Sequence, residues 1–358
     1  MIRFPRSAPH TGRSRPRLRS GAGAVAGLGC LVVLTATACG SGVTEDGERT
    51  GSGSGSGSGE TVLTNCARDV SIPAVPEAIV GLNPAQTELL LRLGLGDRIV
   101  GQAQTDTAPL PEELRDEAAR IPVLSEDTPP SREALLNADP DFVFAPTAYE
   151  FTAEQGFASL EQLQDAGVAA WIATGGCPER RMTGTVDDLF TDLTGLGQAL
   201  DAEEAAGELA EEARTTLDDV AARVSDGEPL TVAQVYLEGE TLSAIGAGIE
   251  YDIVRRAGGN NVFGPDDGAF AEFFAAQVNP ETIAERAPQA LVFTVHDEEH
   301  EQATRDYLTR TFPDIPAVRE DRLIAVSGAD VFPGSLGNVT AVRQIAQGLY
   351  PDAFRDGS

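Results

Sequence analysis

Two stretches of this chain carry the same pattern at a constant offset of 148 residues, and that repeat limits the possible folds more than any other feature. Ser131-Arg132-Glu133-Ala134-Leu135, followed by Pro140-Asp141-Phe142-Val143-Phe144, matches Asn279-Pro280-Glu281-Thr282-Ile283, followed by Pro288-Gln289-Ala290-Leu291-Val292. Each copy reads as an N-capping residue, a short helix with Glu at its second position, and a Pro that introduces an apolar strand. The same order also occurs as ordinary α/β grammar. Used twice in one chain, it predicts two α/β halves.

The rest of the folded part agrees. Short apolar runs alternate with amphipathic stretches, as in βαβ units. Strands are predicted at 78–83, 98–103, 141–146, 168–174, 230–238, 290–295 and 323–327, and helices at 111–120 and 159–167. Asn83-Pro84-Ala85-Gln86 reads as a cap, a Pro at the first helical position and a capping-box Gln opening a helix. Leu189, Leu193, Leu196 and Leu200 mark one helical face. Residues 202–224 then read as a helix about 35 Å long, at 1.5 Å per residue. The expected organisation is an amino-terminal lobe over 61–201, an interlobe helix over 202–226 and a carboxyl-terminal lobe over 227–358. With 41% hydrophobic residues, the chain has enough apolar surface for two cores.

The amino end has a different purpose. Residues 1–20 hold six Arg and no acid, and 21–38 are small and apolar, the order of an export signal. Ala36-Thr37-Ala38-Cys39-Gly40 resembles the bacterial lipobox, which makes Cys39 the expected lipidation site; an ordinary cleaved signal is the other reading. Residues 39–60 include a Gly-Ser repeat with nothing apolar to bury, and read as a flexible tether. Cys30 leaves with the signal. Cys66 and Cys177 remain in an oxidising exterior, which favours one disulfide over a metal pair, since neither has a Cys or His at ligand spacing.

Thr61-Val62-Leu63-Thr64-Asn65-Cys66, Pro84-Ala85-Gln86-Thr87-Glu88-Leu89-Leu90 and Ala257-Gly258-Gly259-Asn260-Asn261-Val262-Phe263 add a further signal. Together with the lipobox, tether and interlobe helix, these runs resemble the iron-siderophore/cobalamin class of solute-binding lipoproteins that serve ABC importers. The resemblance covers roughly 61–350. It implies two Rossmann-like α/β lobes joined by a single long helix, with a ligand cleft between them. It also implies docking onto a permease and its ATPase through one Glu per lobe, here Glu133 and Glu281. A bland reading of both is that Glu at that position merely suits the helix dipole, worth about 0.3–1 kcal/mol.

A formal net charge of −30, with all 26 basic residues Arg, argues against nucleic acid and excludes lysine chemistry. Charge cannot hold such a chain on anionic lipid, so the expected location is the outer face of the membrane through an acyl group on Cys39. In open α/β sheets, ligands sit beyond the carboxyl ends of strands. The loops there nominate Asn83, Tyr149, Phe151, Tyr236, Phe273, Phe274 and Phe332 as ligand contacts, with core packing the alternative for each aromatic. Residues 330–338 contain no Arg, and Arg180 and Arg181 could reach either the cleft or solvent. An acidic cleft with few Arg predicts a neutral or cationic ligand, such as a hydroxamate iron complex, with cobalamin or haem on the same scaffold as the alternative. His296 and His300, at HxxxH spacing, would share a helical face, but the mature chain holds no third His, so no metal site is assigned. No cofactor is expected beyond the ligand's own metal, and a monomer is expected. The Gly246-Ala247-Gly248 run fails as a dinucleotide turn because Tyr251 takes the third glycine position. With no GxSxG or HExxH, the expectation is not an enzyme; a secreted hydrolase and a non-transport sensor lipoprotein are the alternatives.

Overall fold

A computed structural model describes residues 60–224 and 228–355. The export segment, Cys39 and the Gly-Ser run lie outside the described residues. Among those described, no helix is long and apolar enough to cross a membrane.

The first strands, β1 (Thr61–Asn65) and β2 (Arg68–Ile72), form an antiparallel hairpin. Its tip residues, Cys66 and Ala67, both take positive φ, the backbone a two-residue hairpin turn needs. Asn65 pins the hairpin to the first lobe by exchanging two hydrogen bonds with the backbone of Ile172. Cys66 and Cys177 lie at disulfide distance, with S–S 1.98 Å and Cα–Cα 5.2 Å.

The first lobe contains β3 (Ile79–Gly81), α1 (Pro84–Arg92), β4 (Ile99–Ala103), α2 (Glu112–Ala118), β5 (Val123–Ser125), α3 (Arg132–Asn137), β6 (Phe142–Ala145), α4 (Leu160–Asp165) and β7 (Ala169–Ile172). Its five strands are all parallel, in the order β5-β4-β3-β6-β7. Two helices follow, α5 (Asp188–Leu200) and the 22-residue α6 (Glu203–Val224). The second lobe holds β8 (Leu230–Glu238), β9 (Thr241–Ile245), α7 (Gly248–Arg256), β10 (Gly259–Asn261), β11 (Ala275–Gln277), α8 (Pro280–Arg286), β12 (Ala290–Val295), α9 (Glu298–Thr311), α10 (Pro316–Arg319), β13 (Leu323–Ser327) and α11 (Gly337–Leu349). Its main path is β11-β9-β8-β12-β13, with β10 parallel to the start of β8.

The repeat corresponds to one structural unit used in both lobes. Phe142 pairs with Ile79 on β3, and Ala290, 148 residues later, pairs with Val232 on β8. One residue earlier, the side chains of Asp141 and Gln289 each accept a backbone N–H at the start of that lobe's central strand, from Ala78 and Thr231 respectively. Leu135 and Ile283, also equivalent, are both buried. The lobes diverge at the other edge, where β9 and β11 run antiparallel while β4 and β5 run parallel.

Three hydrophobic clusters hold this arrangement. Two belong to single lobes and cover one sheet face each. The third runs through both lobes: it joins β3 and α1 to β8, α7 and α11 by way of α5 and α6. The four predicted leucines of α5 are all buried in it. On α6 the buried residues are Ala206, Ala210, Ala213, Leu217 and Val220, a mostly small-residue stripe at helical spacing. The lobes therefore share a helical layer. They also touch directly, because residues 177–188 reach across to α7, so α6 is not the sole physical link.

Gly195 on α5 shows how tight this layer is. A Cβ there would come within 2.5 Å of the Trp171 ring. Helix propensity favours Gly195→Ala by about 1 kcal/mol, but overpacking a filled site costs about 1–3 kcal/mol. The indole cannot retreat, since its N–H donates to Asp192 on the same helix. We expect Gly195→Ala to lower the melting temperature by a few degrees; a rise in thermal denaturation would show that the ring has room to move.

Candidate functional site

The loops at the carboxyl ends of the strands meet along a seam between the lobes. On one side of it, α1 supplies Gln86. This side chain does not complete a capping box: its amide donates 3.0 Å across to the carbonyl of Pro333, and its buried oxygen has no partner among the described residues. Asn83 fills the cap instead, accepting from Ala85 N–H, and is buried there rather than presented to open space.

The loop after β6 carries Thr147, Tyr149 and Glu150. Glu150 accepts from the N–H and hydroxyl of Thr147 in a closed cap, and burial pushes its carboxyl pKa upward despite those bonds. Tyr149 is 44% exposed and sets its ring edge-on to Phe157. Phe151, nominated as a ligand contact, is instead buried in the first lobe's own cluster: its position at the end of the turn points it inward.

The segment after Cys177 crosses the seam. Arg180 pairs with Asp188 at 2.7 Å, which holds the segment back on α5. Met182 accepts from Gly248 N–H, Asp252 accepts from Val186 N–H, and Arg256 pairs with Asp187. Gly248 has φ +73°, and a Cβ there would approach Arg181 O to 2.8 Å, so only glycine suits this contact. Arg181 extends into the seam, its guanidinium carbon 4.5 Å from the ring centre of Phe274 and 5.8 Å from that of Phe273. Burial lowers its pKa, and Glu150 and Glu250 act in the opposite sense.

The second lobe answers with Gln234 and Tyr236 on β8, Glu250 on α7, and the two Phe residues. Glu250 keeps some solvent-exposed surface although protein atoms crowd it, the condition of a group lining a crevice. Burial pushes its pKa up to about 7, against the pull of Arg181. Gln234 donates to Glu250 at 3.2 Å and leaves its own buried oxygen unpartnered among the described residues. Tyr236 is half-buried, and burial raises its hydroxyl pKa. At the far end, Asp330 is pushed up to about 7 by burial and then by the charge of Glu88 across the seam. Phe332 is half-buried nearby, with its carbonyl accepting from Asn338.

His296 and His300 do stack, at 4.7 Å between ring centres, but not on one helix face. Asp297 caps α9, so His296 precedes it. Both ring nitrogens of His300 are engaged, Nδ1 by His296 N–H and Nε2 by the carbonyl of Leu237. Cavities of about 720 and 540 Å³ lie elsewhere, one at the α5–α6 junction and one beside Glu133. Glu133 and Glu281 are both exposed, each at the second position of its helix.

From the nominated set, the seam brings Phe273 and Phe274 to Arg181 and Tyr236 near Glu250, while Tyr149 is exposed on the loop that carries Glu150. The seam adds Gln86, Glu150, Arg181, Gln234 and Glu250, which the sequence reading did not select. The Thr147-x-x-Glu150 spacing was a visible cap signal. Glu250 had only its place in the first turn of a helix after a strand.

Comparison with known proteins gives a consistent picture. A family model described as periplasmic binding protein matches residues 79–328. An uncharacterized ABC transporter substrate-binding lipoprotein of Bacillus subtilis, YvrC, is 24% identical over 81% of this chain and 85% of its own. A vitamin B12-binding protein of Vibrio campbellii is 22% identical over 62% and 71%. Among solved structures, a periplasmic binding protein from Veillonella parvula aligns with TM-score 0.72 and 22% identity, covering 82% of this chain and 99% of that one. An ABC-type Fe3+-hydroxamate transport system protein from Saccharomonospora viridis aligns with TM-score 0.65 and 22% identity, covering 80% and 98%.

Proposed function

Because this chain belongs to the periplasmic binding protein family, we propose that it captures a bulky metal-chelate ligand in the interlobe seam and hands it to an ABC permease outside the cell. The observation that carries this reading is the convergence of aromatic and charged side chains from both lobes at the carboxyl ends of their strands. Tyr149 and Phe273, one from each lobe, are among the exposed large hydrophobic residues. In this reading Cys39 bears the lipid, the Gly-Ser segment holds the body off the membrane, and Glu133 and Glu281 engage the permease.

The ligand we favour is an iron-siderophore-type complex of hydroxamate character. The seam groups carry little net charge: Arg181 offsets one of Glu150 and Glu250, and burial favours the neutral form of both acids. A trianionic catecholate complex would meet Arg181 there together with the two nearby carboxyls, which oppose its charge. The vitamin B12-binding relative supports a second reading, cobalamin on the same scaffold.

Tyrosine fluorescence gives the direct test, because Trp171 is only 2% exposed and lies in the shared core. A neutral ferric trihydroxamate should quench the emission of Tyr149 and Tyr236 with submicromolar affinity. Nanomolar binding of a trianionic catecholate, or binding of cyanocobalamin alone, would reject the hydroxamate assignment.

A further inference from the structure

Arg side chains that are partly withdrawn from solvent are tied down in this protein, Arg68 and Arg98 by backbone carbonyls. Arg92, Arg180, Arg255, Arg256, Arg286 and Arg305 all sit in ion pairs. Arg181 is different. Among the described residues its guanidinium has no hydrogen-bond or ion-pair partner, and its near neighbours are the faces of Phe273 and Phe274. Glu150 and Glu250 act on it only from beyond ion-pair reach. A planar cation with five donors, partly stripped of water and shelved on two aromatic rings, is costly to keep unsatisfied.

Its backbone is also held in place. Cys177 is bridged to the hairpin four residues before it, Arg180 is fixed by Asp188 one residue before it, and Met182 takes the Gly248 N–H one residue after it. The fork is therefore positioned in advance, with no partner among the described residues.

We propose that Arg181 is the residue that reads the ligand: its free guanidinium takes a cluster of acceptor oxygens on the ligand, and Glu250 takes up a proton as that happens. The inference rests on the seam being the ligand site. Glu250 faces Arg181 from the 177–188 segment and Gln234 and Tyr236 from β8, and Glu150 acts on the same guanidinium from the first lobe. Of these, Arg181 is the one cation, and it favours the Glu250 anion. When ligand oxygens occupy the guanidinium, that support weakens and the carboxyl shifts toward its protonated form. No bond is made or broken beyond the proton, which comes from solvent. The ligand class narrows accordingly, to neutral chelates with an exposed oxygen face, such as neutral hydroxamate complexes.

Calorimetric titration of the full chain at pH 7 tests this, in two buffers of different ionisation enthalpy. The probes are a neutral ferric trihydroxamate, its monocationic amine-bearing counterpart, cyanocobalamin and haem. With whichever probe binds best, Arg181→Met should weaken affinity at least 30-fold while the melting temperature stays within about 3 °C. Arg181→Lys should recover only part of it, since a point charge lacks the fork. The wild type should take up a fraction of a proton per ligand, and Glu250→Gln should take up none. Affinity of Arg181→Met within threefold of wild type, or no proton uptake by the wild type, overturns the proposal and leaves the seam as the ligand site. A tighter fit for the cationic probe than for the neutral one also overturns it. If the wild type binds none of the four, the seam reading fails and this inference fails with it.

Discussion

Reversing Glu133 and Glu281 together, Glu133→Arg with Glu281→Arg, should abolish uptake in cells while ligand affinity in vitro stays within about twofold. Both carboxylates are exposed on equivalent helices, one in each lobe, and neither lies at the seam. Close charge pairs across protein interfaces couple by about 1.5–7 kcal/mol, and reversal turns each attraction into repulsion. The local penalty is smaller. Removing an acid from a helix's first turn costs about 0.3–1 kcal/mol, and both helices keep their caps, Ser131 and Asn279. Uptake assays beside calorimetry separate the two effects, and Arg-to-Glu changes on the permease should restore part of the transport. Loss of ligand binding in the purified double variant would assign these residues to the fold or the ligand instead.

The second large effect is on stability against pH. Asp192 is fully buried in the shared core, accepting from Trp171 Nε1 and from the N–H and hydroxyl of Thr174. Burial nonetheless pushes its pKa up to about 7, with nearby Asp188 adding to the rise. A carboxyl whose pKa is higher folded than unfolded binds more protons in the folded state. Its contribution is fully present below the unfolded value, near 4, and is lost as pH rises through 7. From pH 8 to pH 5.5 this one group should add about 2 kcal/mol, or roughly 5 °C in melting temperature. Glu250 and Asp330 shift in the same sense, and neutralising part of a −30 net charge works in that direction too. Thermal melts across this range check it. Asp192→Asn, which keeps an acceptor for the indole, should flatten much of the slope; an unchanged slope would move the effect elsewhere.

Some of the site was legible before any coordinates. The Tyr149, Tyr236, Phe273 and Phe274 nominations followed from strand-end loops; Phe273 and Phe274 flank Arg181, Tyr236 lies near Glu250, and Tyr149 packs on Phe157 of its own lobe. Phe151 sits in an equally good loop yet turns into the core, because a single-turn helix between Thr147 and Thr152 rotates it inward. Arg181 could not be told from Arg180 in the sequence: one residue apart, one is tied to Asp188 and the other reaches across to the opposite lobe. The hairpin at 61–72 was seen only as a motif, although Val70 and Ile72 alternate into the shared cluster and Asn65 ties the turn to β7.

The sequence by itself determined the α/β class, the repeated helix–strand unit, the long helix near 202–224 and the cysteines free to pair. Each of these rests on local periodicity, capping or counting, which neighbouring residues fix on their own. Only the tertiary structure decided which groups share the seam, that residues 177–188 bridge it, and that Arg181 has no hydrogen-bond or ion-pair partner among the described residues. Those depend on how two sheets stack on one helical layer, and the burial that shifts Glu250 and Asp192 exists only once both lobes are packed.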